Sequence, residues 1–291
     1  PETHMLKPFA DRYASMRTLV EVVLDFTIKH GPQIQALRLA ARQAAATQRH
    51  WPVLWAPDTS RPSSFKFKGY AAVYRPSVLG DYQRLAYDRS QAWERDIPWY
   101  NRCAVALEVA TPKHYLIPQA WREVIERLQW NGVVLQRLEA DRTLQAQVYR
   151  VGTLQSRASP YEGHLFHDHV ELSVHTETVQ ARAGDVLVDL AQTQARYAVE
   201  TLEPQAHDSF FRWGFFNSVL EKKEAYSDYV FEDTASEMLQ DEPEIRTKFE
   251  EWKQASPELV SNQAAVLDYI FANGKRFNEP EWRRYPVVGL V

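Results

Sequence analysis

The stretch Glu200–Phe216 (ETLEPQAHDSFFRWGFF) places five aromatic residues within seven positions, directly after an acidic segment that a proline interrupts. Phe210 and Phe211 would differ by about 100° around a helix axis, so the five rings cannot share one narrow helical stripe. We therefore predict a helix from Phe211 that is buried on more than one side. Two uses of the rings stay open. A core anchor between β and helical regions is favoured over a partly exposed groove for a partner.

The spacing of apolar residues differs between the two sides of this stretch. After Pro204 it is helical, which predicts helices over 211–223, 230–240, 242–254 and 257–273. Before it, short β-like runs occupy 65–74, 103–110, 114–117, 133–138, 144–151, 167–174 and 186–190, and one helical run occupies 119–129.

In the first part of the chain, too, apolar residues recur with helical spacing. This spacing predicts one helix over 7–30, which Gly31-Pro32 stops or kinks, and a second helix over 33–48. Residues 49–64 are punctuated by prolines and are interpreted as a connection. We predict an α+β fold with three domains, namely residues 1–48 (helical), 49–203 (β-rich, mostly antiparallel, with one inserted helix) and 204–291 (helical).

Composition excludes several classes of protein. The 291 residues carry a net charge of −4 and no polybasic run, so we expect neither nucleic acid nor an anionic membrane as partner. The single cysteine, Cys103, excludes an intrachain disulfide framework and a thiolate metal cluster. No secretory signal pattern opens the chain. Its start at Pro1 is interpreted as that of an excised fragment, unless His4-Met5 is a cloning remnant that precedes a start at Met5.

One local pattern could bind a metal ion. If His167, His169 and Glu171 lie on a strand, the two-residue period places them on one face, as a possible half-site for a divalent cation. The alternative is an ordinary polar face, opposite an inward-facing apolar one. The contiguous His207-Asp208-Ser209 contains the residue types of a catalytic triad, but contiguous residues cannot usually reach one another in line, so a capping role is favoured.

A family resemblance rests on four segments: the opening ETHMLKP from Glu2, the aromatic stretch Glu200–Phe216, the run Glu221–Asp233, and Tyr285-Pro286-Val287. Together they resemble the C-terminal portion of a bacterial zinc metallocarboxypeptidase of the carboxypeptidase A type, in the branch with a long extension after the catalytic domain. The resemblance is sharp over 197–291, good over 2–13 and loose in between.

The resemblance implies a role for Glu2. In that family a glutamate at the end of the last strand of the catalytic sheet is the general base toward the zinc-bound water, and Glu2 matches its position. The alternative is a frayed terminal residue. The family's zinc ligands, a His-x-x-Glu pair and a later histidine, would lie upstream of Glu2, as would the arginines that bind the substrate carboxylate.

The expected function follows from that resemblance. The intact parent is expected to be a secreted or periplasmic zinc enzyme that removes C-terminal residues from peptides. This chain is expected to hold the helical end of the catalytic domain (residues 1–48) followed by a noncatalytic accessory region that packs on the upstream catalytic domain, and to bind no zinc. Two alternatives stay open: a stand-alone module whose aromatic surface binds peptide or carbohydrate, and an independent metal hydrolase that uses His167, His169 and Glu171.

Overall fold

The computed structural model describes residues 2–221, 226–274 and 281–290. Their contacts divide the chain into two compact units: residues 1–49 with 111–291, and residues 50–110. The smaller unit lies within the predicted second domain, and residues 111–203 share the larger unit with 204–291. The predicted three-domain division stays a prediction.

A six-stranded antiparallel sheet forms the larger unit's centre, in the order β6-β9-β5-β10-β7-β8. Its strands are β5 (His114–Ile117), β6 (Gln136–Arg137), β7 (Arg142–Ser156), β8 (His167–Ala181), β9 (Val186–Asp189) and β10 (Val288–Leu290). The short β10 comes from the last residues of the chain and lies between β5 and β7. Gly289 is needed there, because a Cβ at this position would lie 2.9 Å from the Pro112 ring.

The described helices of this unit complete the α+β fold, which confirms the predicted class. They are α1 (Phe9–Ala45), α2 (Arg122–Trp130), α3 (Ala195–Leu202), α4 (Asp228–Asp241), α5 (Pro243–Ala255) and α6 (Gln263–Asn273). The last three pack around a core of their own, whose largest side chains are Phe231, Met238, Phe249, Leu267 and Phe271. Among the described residues, no helix is both long and apolar enough to cross a bilayer.

The N-terminal helix does not stop at Gly31-Pro32, because α1 runs from Phe9 to Ala45 as one helix of 37 residues that includes Pro32. Of the two expected outcomes, a stop is wrong, and a kink stays a prediction. Pro32 removes one backbone donor from the helix. The flanking residues have good helix propensity, and water can bond to the carbonyl that this leaves on an exposed helix. Only Ala45 of α1 is buried.

The smaller unit is a long two-stranded ribbon. It consists of two antiparallel strand pairs that follow each other along the chain. The strands β1 (His50–Pro57) and β4 (Cys103–Ala110) form one pair, and β2 (Ser63–Pro76) and β3 (Gln83–Trp99), which lie between them in the sequence, form the other. Interpreting residues 49–64 as a connection was therefore wrong for β1. A two-stranded ribbon is all edge, and edges tolerate prolines such as Pro52 and Pro57.

The predicted helix over 211–223 is wrong within the described residues, and its positions 222–223 lie outside them. Tight turns follow α3, and a 3₁₀ turn occupies Asn217–Leu220. Gly214 has a φ of 79°, in the left-handed region, which ends any helix there. The turns send successive rings in different directions, and Phe210, Phe211 and Phe216 are buried. Trp213 and Phe215 are half-buried. The burial confirms that these rings belong to the core rather than to an exposed groove, while their role as a link between β and helical regions stays a prediction.

Candidate functional site

Glu2 lies in an exposed segment before α1, where a turn is closed by a hydrogen bond from the Lys7 N–H to the His4 carbonyl. Among the residues that the structure describes, no group of three or more His, Cys, Asp or Glu side chains could hold a metal ion. The described residues therefore do not fit a zinc site, and the catalytic role implied for Glu2 stays a prediction.

His167, His169 and Glu171 do not share one face as predicted. His167 is 3% exposed, whereas His169 and Glu171 are exposed and bonded to each other at 3.3 Å between Nε2 and Oε1. The reason is a bulge. His167 pairs with Ser156 and His169 pairs with Gln155, so β8 has one extra residue there and its alternation is broken.

Both ring nitrogens of His167 contact protein groups. Nδ1 lies 2.8 Å from Ser156 Oγ, and Nε2 lies 2.8 Å from Asn217 Oδ1. Burial lowers the pKa of His167, the hydrogen bond to Asn217 opposes this, and the nearby Arg212 guanidinium adds to the lowering. A neutral ring that donates from Nε2 and accepts at Nδ1 satisfies both contacts. The arrangement joins the start of β8 to Asn217, the residue directly after the aromatic stretch.

Arg212 strengthens the same junction. Its Nε donates to the His167 carbonyl at 2.8 Å, another guanidinium nitrogen donates to the Asp168 carbonyl, and its charge lies 5.0 Å from the centre of the Phe166 ring. Two backbone carbonyls at the bulge are thus paired by one buried side chain. His167 and Arg212 are therefore positioned by the fold as structural groups.

The most perturbed cluster was missed by the sequence interpretation. Glu203, at the end of α3, is 2% exposed, and its carboxylate accepts hydrogen bonds from the hydroxyls of Tyr115 and of Tyr149, the latter at 3.0 Å. Tyr285 lies beside them, fully buried, and donates to the Leu202 carbonyl at 2.7 Å. This tyrosine–carboxyl cluster connects β5, β7, α3 and the segment before β10.

Its electrostatics follow from burial. Burial raises the pKa of Glu203, and the hydrogen bonds from Tyr115 and Tyr149 only partly offset it. Burial first and the Glu203 charge second raise the pKa of all three tyrosines. The only signal in the sequence was an acidic residue within an apolar, aromatic neighbourhood, which does not reveal its tyrosine partners.

The ribbon carries an apolar groove with a volume of about 700 Å³. The side chains and backbone that line it belong to Phe67, Gly69, Tyr70, Ala71, Ala72, Tyr87, Trp93 and Arg95. Cross-strand partners share a face, so Phe67, Trp93 and Arg95 lie on one face, while Lys66, Lys68, Glu94 and Asp96 lie on the other.

Comparison with known proteins gives a partial match. No protein-family model and no solved structure matches the chain. Over 107 residues the chain is 31% identical to Carboxypeptidase 2 of Trichophyton tonsurans and of Trichophyton equinum, and 30% identical to that of Trichophyton rubrum. The match covers 35% of this chain and 19% of each relative, about a fifth of their length. The chain thus contains a carboxypeptidase-related region.

Proposed function

We propose that this chain is the C-terminal part of a zinc metallocarboxypeptidase of the bacterial carboxypeptidase A type, and that its own role is accessory and noncatalytic. The observation that carries the proposal is the 107-residue match to Carboxypeptidase 2. The parent would remove C-terminal residues from peptides and would act in the periplasm or outside the cell. In this proposal the zinc ligands belong to the upstream catalytic domain.

The surface of α1 supports an upstream partner. Ten of its large apolar side chains are more than half exposed: Phe9, Tyr13, Val20, Val22, Val23, Leu24, Phe26, Ile28, Leu37 and Leu39. Successive residues of a helix are 100° apart, so those between Val20 and Ile28 cover about two thirds of its circumference, while Glu21, Asp25 and Lys29 form a polar stripe on the rest. An apolar helix face this wide normally packs against another part of a protein. In the proposal, the catalytic domain covers this helix.

Peptidase activity gives the first test. The purified chain is incubated with a peptide that has a free C-terminus, with added zinc, and released residues are measured by mass spectrometry. We expect no release, because the described residues do not fit a zinc site. Release that a chelator abolishes would overturn the noncatalytic role.

Association gives the second test. The upstream region of the same open reading frame, expressed separately, is expected to bind this chain, and Val23→Glu in α1 is expected to weaken binding at least about tenfold. Lys29→Glu, on the same helix, is the matched control for the added charge. Absence of binding, or an equal loss with Lys29→Glu, would contradict the assignment of α1 as the interface.

A further inference from the structure

The ribbon groove is shaped around a single glycine. A Cβ at Gly69 would lie 2.7 Å from the Trp93 ring, so only glycine lets that indole lie flat against the opposite strand. Phe67 adds a second ring, 5.5 Å from Trp93 between centres. A bulge follows directly, between Tyr70 and Ala71, where three residues of β3 have no partner on β2. The result is a widened aromatic groove.

Arg95 adds a positive charge to this groove. Its guanidinium carbon lies over the Trp93 ring, 4.2 Å from the ring centre, as in a cation–π contact. Such a contact leaves the in-plane N–H donors free to bind a planar anion. Among the described residues, no carboxylate lies within ion-pairing distance of Arg95.

The lysines on the opposite face are already paired. Lys66 and Lys68 each lie 3.4 Å from a carboxylate oxygen of Glu94. Residues 50–110 carry eight Lys and Arg against six Asp and Glu, although the whole chain has a net charge of −4. The unpaired charge that faces the apolar groove is thus that of Arg95, and the ligand that complements it is anionic at one end and apolar beside it.

We propose that this groove binds the C-terminal end of a peptide, with the terminal carboxylate on Arg95 and an apolar terminal side chain against Trp93 and Phe67. The choice of a peptide rests on the proposed function, since a carboxypeptidase acts on this end of its substrate. The guanidinium and the carboxylate match as planar two-point partners. The ribbon would thereby hold substrate ends near the enzyme without taking part in the reaction.

Fluorescence anisotropy tests the proposal on the full 291-residue chain. The probes are a peptide that ends in Ala-Ala-Phe with a free carboxylate, labelled with fluorescein at its N-terminus, and the same peptide with a C-terminal amide. We expect the free acid to bind at least about tenfold more tightly, the factor typical of a charged hydrogen-bonded pair. This preference should shrink as salt screens the exposed charge.

Three variants test which side chains of the groove bind the carboxylate and the apolar end of the peptide. Arg95→Gln should remove the preference for the free acid, and Trp93→Ala should weaken binding of both peptides. Arg84→Gln, which changes an exposed arginine beyond the bulge of the same ribbon, should bind like the unchanged chain. Far-UV circular dichroism checks that each variant keeps its fold. If Trp93→Ala unfolds the ribbon, the comparison of Arg95→Gln with Arg84→Gln decides the question alone.

Several results would overturn the proposal: equal affinity for acid and amide, unchanged binding by Arg95→Gln, or displacement of the peptide by a neutral oligosaccharide such as maltohexaose. The measurement requires no peptidase activity and no upstream domain. Failure here therefore leaves the accessory role intact, while release of residues by the chain alone would refute that role without affecting the groove.

Discussion

Replacing the buried carboxyl group of Glu203 is the sharpest test of the larger unit. Glu203→Ala removes the acceptor for the hydroxyls of Tyr115 and Tyr149, and Tyr115 is only 1% exposed. A buried donor left without a partner costs about 1–3 kcal/mol, and the lost side chain adds a cavity. We expect the free energy of unfolding to fall by about 3–5 kcal/mol, a large part of the usual total of about 5–15 kcal/mol.

Glu203→Gln separates charge from shape. Glutamine has nearly the same size and keeps one acceptor oxygen, and it needs no buried charge, so its cost should be much smaller than that of Glu203→Ala. Burial raises the pKa of Glu203 above its ordinary value of 4.5. The stability that its protonated form contributes is therefore complete below pH 4.5 and is lost as pH rises through the folded-state pKa. The cost of Glu203→Gln should accordingly shrink from pH 5 to pH 8.

Urea unfolding at several pH values, followed by circular dichroism and tryptophan fluorescence, measures all three proteins. The two signals should coincide if the unfolding transition is cooperative. The reasoning would be refuted if Glu203→Gln cost as much as Glu203→Ala at pH 7. It would also be refuted if the cost of Glu203→Gln grew with rising pH, because the folded state would then favour the ionised carboxylate.

Three further variants probe other parts of the fold. Phe211→Ala, at a fully buried ring of the aromatic stretch, should lower the free energy of urea unfolding by about 3–5 kcal/mol; a loss below 1 kcal/mol would contradict the anchor role. Burial lowers the pKa of His167 from its ordinary value of 6.5, so the stability that the neutral ring contributes is present above pH 6.5 and is lost as pH falls. In His167→Gln the melting temperature should therefore change less between pH 7 and pH 5 than in the unchanged protein. The same pH dependence in both proteins would argue against a buried neutral ring. Gly69→Ala should displace Trp93 and weaken binding of the free-acid peptide, measured by anisotropy; unchanged binding would show that the groove does not depend on this glycine.

Predictions from local sequence were correct where the spacing of apolar residues in a segment matches the face that the segment buries in the fold. The runs at 103–110 and 114–117 are strands with the predicted bounds, and the three helices after residue 226 lie close to their predicted positions. The helix α3 and strand β3 were not predicted. The helix expected from Phe211 was wrong, because a left-handed glycine and contacts with distant rings override the local preference.

For the candidate site, too, residue types could be read from the sequence, whereas the local geometry could not. Composition excluded an intrachain disulfide framework, since the chain has one cysteine, and the residue types near Glu2 and in the aromatic stretch gave the carboxypeptidase resemblance. The spacing of His167, His169 and Glu171 could not reveal the extra residue in β8 that turns His167 inward, because a bulge depends on the register of the partner strand.

The sequence by itself determined the α+β class, the helical C-terminal region and the relation to carboxypeptidases, since these depend on residue types and on periods read over a few turns or strands. The tertiary structure alone decided that Glu203 is buried between Tyr115 and Tyr149, and that Arg95 lies over Trp93 without a carboxylate partner among the described residues. These environments join residues from distant segments or neighbouring strands, and burial and charge pairing exist only after the chain has brought those segments together.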